Sequence, residues 1–448
     1  MALRETVADV LLETFQAVGI RYLFANLGTD YPPLVEALAK YQQQGAALPQ
    51  VVLCPHEQTA ISAAHGAFLA SGAGQAVLVH VGVGTQNLGG ALHQAWTARV
   101  PMVVFAGRTP ATTRGERLGS RDNFIHFYQD VRDQAGVIRQ FSKWECNLEL
   151  PEQVAYTLQR AVRVMHSDPQ GAVYLTAARE VLGMPANVQS DPPAWYATPQ
   201  QGSLSPPDAR RLAQGLREAQ RPVIVTSYLG RQRGAVELLV NLSEALQVPV
   251  VESFPTHLNF PRLHANHGGF RAAPWLRDAD LVWMVETDVP WVAKTGGPRP
   301  GIPIVQMDVD PVKAHMTLWD FPVTESHQVQ AQQALAEVLA GAQDLPAANA
   351  AWREQRSRWL DAHRPAAPGV PGNGRLTVSA VAALLGQELP PEAVLVDEGV
   401  SNADVVRAGT RRTLPGTYFG TPGGSLGWGG GAALGHKLMA PQTEVACL

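Results

Sequence analysis

Short apolar runs alternate with helix-patterned segments along nearly the whole chain, and this alternation restricts the fold more than any other feature. The strand-like Tyr22-Leu-Phe-Ala is followed by a helical pattern after Pro33. The runs Gln50–Leu53, Ala76–His80 and Pro101–Gly107 come next, separated by helical segments. Strands interleaved with helices imply βαβ crossovers and parallel sheets with both faces covered. The fold class expected is therefore α/β, with three doubly wound parallel-sheet domains. The first spans 1–182, opening with an amphipathic helix from Met1 to Val18 and closing after the strand Ala172–Leu175. A proline-rich stretch, Gly183 to Pro207, reads as a linker. The second, 200–345, carries the helices Asp208–Ala219 and Gly234–Leu246. Its strands are Pro222–Thr226, Pro249–Val251, Leu281–Val285 and Pro303–Asp310. A second linker, Arg364 to Gly374, leads to a third domain over 370–448, with helix Thr377–Gln387 and strand Ala393–Asp397.

Length agrees with several cores, since 448 residues exceed what one core ordinarily holds. A net charge of −4 without a concentrated basic patch argues against nucleic acid as the main partner. No apolar run is long enough to span a bilayer. The N-terminus carries Arg4, Glu5, Asp9 and Glu13 where a signal peptide needs an unbroken apolar stretch, so a cytoplasmic location is expected. Cys54, Cys146 and Cys447 lack Cys-x-x-Cys spacing, which indicates neither zinc nor a disulfide framework. His257, His264 and His267 match no familiar zinc-ligand spacing.

One carboxylate stands out. Pro55 stops the strand Gln50–Leu53, and from Gln58 onward Ala60, Ala63, Ala64 and Ala67 recur at helical spacing. Glu57 thus sits at a strand end on a partly desolvated helix start, where proton affinity can be tuned. From these residues alone, Glu57 either caps its helix and meets the macrodipole or serves chemistry. The next strand runs into the glycine turn Gly82-Val-Gly84, and a helix through Ala91 to Ala98 follows. The spacing G-x-G-x-x-x-x-G is not the dinucleotide fingerprint, and no G-x-G-x-x-G follows any strand, which disfavours a nicotinamide or flavin oxidoreductase on ordinary doubly wound domains.

Taken in order, His56-Glu-Gln-Thr-Ala60, His80 to Trp96, and Val100 to Gly107 resemble the pyrimidine-binding domain of thiamine-diphosphate enzymes of the acetolactate synthase and benzoylformate decarboxylase group. The resemblance extends over nearly the whole chain. It implies a pyrimidine-binding domain, a central domain and a partial diphosphate-binding domain, with thiamine diphosphate and magnesium as cofactors. The reaction implied is decarboxylation or carboligation of a 2-oxo acid, through addition of the deprotonated thiazolium C2 to the carbonyl. Glu57 then matches the glutamate that bonds the pyrimidine N1′ and promotes the tautomer whose N4′ acts as base. His80 stands where the benzoylformate decarboxylase pattern has a proton-shuttling histidine, a duty suited to its proton affinity. In Gly423-Gly-Ser-Leu-Gly427 the Gly424 carbonyl would accept from the 4′-amino group, Ser425 would lie beside it, and Leu426 would wedge under the two rings. Ser401 and Asn402 belong to the same cofactor side, as do Gln86 and Asn87. Thr29, Asp30, His126 and His264 are expected on the substrate side.

Asp308 and Asp310 resemble a segment that contacts flavin adenine dinucleotide in some members, so FAD (flavin adenine dinucleotide) is an open cofactor. In the family a Gly-Asp-Gly motif and a later Asn hold the magnesium. This sequence ends at Leu448, in what reads as a fresh strand, before such a motif, so no metal ligand is expected within it. The expectation is that a longer protein is the enzyme; an inactive paralogue or partner subunit is the alternative. Relatives build the active site between subunits, which implies a homodimer or homotetramer.

Overall fold

The computed structural model describes residues 5–186, 193–364 and 376–448. Residues 1–4 of the expected first helix, 187–192 of the first linker and 365–374 of the second lie outside the described residues, as does the stretch 370–375 of the expected third domain. The chain forms two compact units, Met1–Gln200 with Thr421–Cys447, and Gln201–Gly420 with Leu448. The expected third domain is thus divided between them at Gly420.

The first unit opens with α1 (Val7–Ala17), whose N-terminus is closed by a Thr6–Asp9 capping box. Then come β1 (Tyr22–Asn26), α2 (Pro32–Gln43), β2 (Gln50–Leu53), α3 (Glu57–Ser71), β3 (Gln75–Val79), α4 (Val81–Asn87), α5 (Gly89–Thr97), β4 (Met102–Arg108), β5 (Glu145–Leu148) and β6 (Ala172–Ala178). The sheet order is β2-β1-β3-β4-β6-β5, with every pairing parallel. All five residues of β3 are buried, as a parallel strand covered on both faces requires. Ala76, Leu78, Val103 and Phe105 enter one core, while Val77, Val79, Met102 and Val104 enter the other. The period of two therefore sorts each strand between two helical layers.

The expected glycine turn after β3 is helical. α4 begins directly at Val81 and is followed by α5 across Leu88. Gly84 serves close approach rather than turning: a Cβ there would lie 3.1 Å from Glu57 Oε1 and 3.2 Å from Val79 Cβ. Glycine also governs the contact between α3 and the helix Trp428–Met439. A Cβ on Gly66 would lie 1.8 Å from the Ala432 carbonyl oxygen, and one on Gly435 would lie 1.8 Å from that of Ala63. The helices meet backbone to backbone because both positions lack a side chain.

The second unit holds β7 (Pro222–Thr226), β8 (Val250–Glu252), β9 (Leu281–Val285), β10 (Ile304–Asp308) and β11 (Glu325–Gln328), ordered β11-β10-β9-β7-β8 and all parallel. In the same unit β12 (Val394–Asp397) and β13 (Tyr418–Gly420) pair in parallel. The expected α/β class with parallel sheets is observed. Among the described residues no helix is long and apolar enough to cross a membrane.

Candidate active site

In the first sheet the strand order reverses at β1: β2 lies on one side of it and β3 on the other. Open parallel sheets place ligand sites outside the carboxyl ends of strands at such a switch point. Asn26 ends β1, Gly28-Thr-Asp30 follows it, Glu57 opens α3 just beyond β2, and His80 follows β3. The crossover topology alone brings these residues to one edge.

Glu57 is only 5% exposed. It does not cap its helix; His56 is the N-cap, and its Nδ1 accepts from the Gln58 backbone N–H at 3.1 Å. The Glu57 carboxylate instead receives two side-chain amides. Asn26 Nδ2 donates to Oε1 at 3.1 Å, and Asn87 Nδ2 donates to Oε2 at 3.1 Å. Two neutral donors fix the plane of the group without neutralising its charge, and each oxygen keeps acceptor capacity.

His80 and Asp30 form the second element. His80 Nδ1 lies 2.7 Å from Asp30 Oδ1, and Asp30 Oδ2 accepts from the Val81 N–H at 3.2 Å. Asp30 is buried. Its hydrogen bond raises the His80 proton affinity above the ordinary imidazole value; partial burial opposes this, and the Asp30 charge, Gln129 and Glu57 add to it. Two glycines make room for the pair: a Cβ on Gly28 would lie 2.1 Å from His80 Nδ1, and one on Gly107 would lie 1.7 Å from Asp30 Oδ2. The peptide turns sharply here. Val81 has φ of 27°, a conformation rarely adopted by a β-branched residue, and such strain persists only where surrounding contacts hold it.

The remaining expected residues are placed as follows. Thr29 is exposed, its carbonyl accepting from Arg179 Nη1 at 3.3 Å. Gln86 is exposed at the end of α4, beside Asn87. His126 is buried in a short helix, Ile125–Tyr128; burial, with Arg179 nearby, lowers its proton affinity. In the glycine-rich loop, Leu426 is exposed, and its carbonyl accepts from Gln58 Nε2 at 2.9 Å. Ser425 lies against Gly90, where a Cβ would come 2.4 Å from its Oγ. Gly424 is exposed, and Gly427, with φ of 98°, opens the helix Trp428–Met439.

The other expected residues belong to the second unit. His264 Nε2 lies 3.1 Å from Glu244 Oε1, and its Nδ1 accepts from the Asn266 N–H at 3.0 Å. Ser401 and Asn402 are exposed ahead of the helix Ala403–Thr410. Asp308 is buried and committed within the chain: Tyr228 Oη donates to it at 2.6 Å, and Lys313 Nζ at 2.8 Å. Asn26 was not among the expected residues. Its only signal in the sequence is a polar side chain closing the apolar strand Tyr22–Ala25.

Comparison with known proteins supplies the family. Residues 5–137 match the model of the thiamine pyrophosphate enzyme N-terminal TPP-binding domain, and residues 209–336 match that of the central domain. The chain belongs to the thiamine pyrophosphate enzymes. It is 25% identical to benzoylformate decarboxylase of Pseudomonas aeruginosa, over 98% of this chain and 80% of that protein. With acetolactate synthase isozyme 3 large subunit of Escherichia coli, identity is 24% over 89% of this chain and 70% of that protein. The crystal structure of benzoylformate decarboxylase from Polynucleobacter necessarius shares the fold, with a TM-score of 0.80 at 20% identity, covering 99% of this chain and 80% of that one.

Thiamine diphosphate is accordingly the cofactor that the family implies, and the site fits its aminopyrimidine end. A buried, amide-oriented carboxylate suits a ring nitrogen, and Gly84 leaves open the space beside Glu57 Oε1. Among the described residues no group of three or more His, Cys, Asp or Glu side chains could hold a metal ion.

Proposed function

We propose that the protein decarboxylates a 2-oxo acid, or joins the resulting fragment to a second carbonyl, with thiamine diphosphate. The observation that carries this reading is Glu57 held at the sheet switch point by Asn26 and Asn87. When bound, the thiamine group supplies the electron sink for loss of CO₂. Glu57 holds a proton at the pyrimidine ring nitrogen, and the two asparagines keep its carboxylate in one plane. Asp30 orients the His80 ring through Nδ1 and, with Gln129, favours its protonated form, so the ring is set to give or take a proton at a substrate atom. Magnesium for the diphosphate is part of the proposal by family resemblance, and no step is routed through it.

A homodimer or homotetramer also belongs to this reading. It is supported by exposed apolar side chains between β4 and β5: Leu118 at 95%, Phe124 at 71% and Tyr128 at 83%. Apolar surface of this kind marks interaction sites.

The test is CO₂ release from a panel of 2-oxo acids with thiamine diphosphate and magnesium present. Turnover by the wild-type protein and a drop of about 100-fold in Glu57→Gln, the typical worth of a positioned acid–base group, is the expected result. Full turnover in Glu57→Gln would sink the assignment.

A further inference from the structure

Within the second unit, a cavity of about 570 Å³ opens beside the chain segment that follows β8. That volume is in the range of small-molecule sites. Among the described residues four arginines line it, Arg262, Arg271, Arg364 and Arg411, against a single carboxylate, Asp404. The remaining wall is largely apolar, with Leu263, Phe270 and Pro274.

The arginines differ in how they are held. Arg262 is 8% exposed; its Nε donates to Glu252 Oε2 at 3.4 Å, its Nη1 to the Arg407 carbonyl at 3.5 Å, and its guanidinium lies 3.8 Å from the Tyr418 ring centroid. Its buried Nη2 has no hydrogen-bond partner among the described residues. A buried guanidinium N–H without an acceptor leaves its desolvation uncompensated, so the Arg262 charge is only partly offset at this wall of the cavity. Arg271 reaches Asp404 at 3.3 Å and Arg364 reaches Asp361 at 3.1 Å, but both are open to solvent, where such pairs are weak and easily exchanged. Glu252 cannot offset the wall further, because its Oε2 is already shared between Arg262 and His267, at 3.4 and 3.0 Å.

We propose that this cavity binds an organic phosphate, with a di- or polyanionic phosphate group taken by the four arginines and an apolar body laid against Leu263, Phe270 and Pro274. Guanidinium forks match phosphate oxygens bidentately, and several of them facing one space call for more than one negative charge. The inference goes beyond the reaction proposed above and does not rest on it.

The test is calorimetric titration of ADP into the full-length protein saturated with thiamine diphosphate and magnesium, so that the cofactor's own site is closed to the probe. Arg364→Gln/Arg411→Asn serves as the comparison; Asn tolerates the left-handed backbone at 411, where φ is 47°. One ADP per chain is expected, with affinity about tenfold weaker in the double variant and thiamine diphosphate binding unchanged in it. Absence of saturable ADP binding, or equal ADP affinity in the two proteins, overturns the proposal. Inorganic pyrophosphate is titrated in parallel: weaker binding than ADP supports the apolar wall's role, and equal binding overturns the organic class of ligand.

Discussion

Asp30 Oδ1 stands 2.7 Å from His80 Nδ1, and the two residues reach each other from the ends of neighbouring parallel strands, β1 and β3. The contact is purchased with absent side chains at Gly28 and Gly107 and with an unfavourable φ at Val81. A hydrogen bond maintained against that much local cost fixes which imidazole nitrogen faces the site, and it makes the protonated ring easier to keep.

The pH dependence of stability follows from this pair. His80 has a raised proton affinity in the folded protein, so its contribution is fully present below the unfolded value of about 6.5 and fades as pH rises through the folded value. Asp30→Asn removes the largest cause. We expect the variant to be less stable than wild type by about 2 kcal/mol near pH 6, in line with hydrogen bonds to charged groups, with the gap narrowing toward pH 9. Urea unfolding at several pH values measures it; a gap that widens with pH would contradict the assignment.

Glu57 gives a second titration experiment. Asn26 donates to its Oε1 at 3.1 Å, so Asn26→Asp would set two carboxylates side by side. Like charges so close cannot both ionise freely, and one proton is then retained at higher pH than usual. Because the folded variant would bind more protons than the unfolded chain, its stability relative to wild type should fall as pH rises from 5 to 8. An unchanged difference over that range would show that the two side chains do not share the site.

Much of this was legible in the sequence. The alternation of apolar runs and helical patterns carried the parallel sheets, and Glu57, His80, Asp30 and Asn87 all fell at strand or helix ends. Pairing was not legible. Nothing in the spacing of 30 and 80 says that their side chains meet, because β3 is placed beside β1 by tertiary packing. The segment after β3 was misread for a related reason. Gly82 and Gly84 suggested a turn, whereas the backbone is helical there; the missing side chain of Gly82 makes room for Val131, and that of Gly84 for Glu57 and Val79. Glycine marks close approach as well as turns, and a single sequence does not separate the two uses.

The close approach of α3 and the helix Trp428–Met439 should be intolerant of any added methyl group. Gly435→Ala would put a Cβ against the Ala63 carbonyl, which belongs to helix backbone and cannot swing aside. We expect a loss of about 1–3 kcal/mol, the range for overpacked interiors. Gly430→Ala is the control, since nothing lies within 4 Å of a Cβ there, and it should be neutral or slightly stabilising. Equal melting behaviour of the two variants would disprove the backbone-to-backbone packing.

Lys313 tests how the second unit tolerates buried charge. Its side chain is fully buried, and Nζ donates to Tyr228 Oη at 2.7 Å and to Asp308 Oδ2 at 2.8 Å, with Asp288 Oδ1 also 2.8 Å away. Lys313→Met would leave Asp308, among the described residues, with Tyr228 and the Asp310 backbone N–H as donors, and removing one partner of a buried pair typically costs about 3–5 kcal/mol. Asp308→Asn in the same chain removes the stranded charge while keeping an acceptor for Tyr228. The double variant should therefore recover a large part of the loss, because the penalty comes from the unpaired carboxylate rather than from a missing attraction. Denaturant titration of the two single variants and the double variant measures the coupling. Additive losses would mean that Lys313 and Asp308 are stabilised independently, and the buried pair would have to be abandoned as a unit.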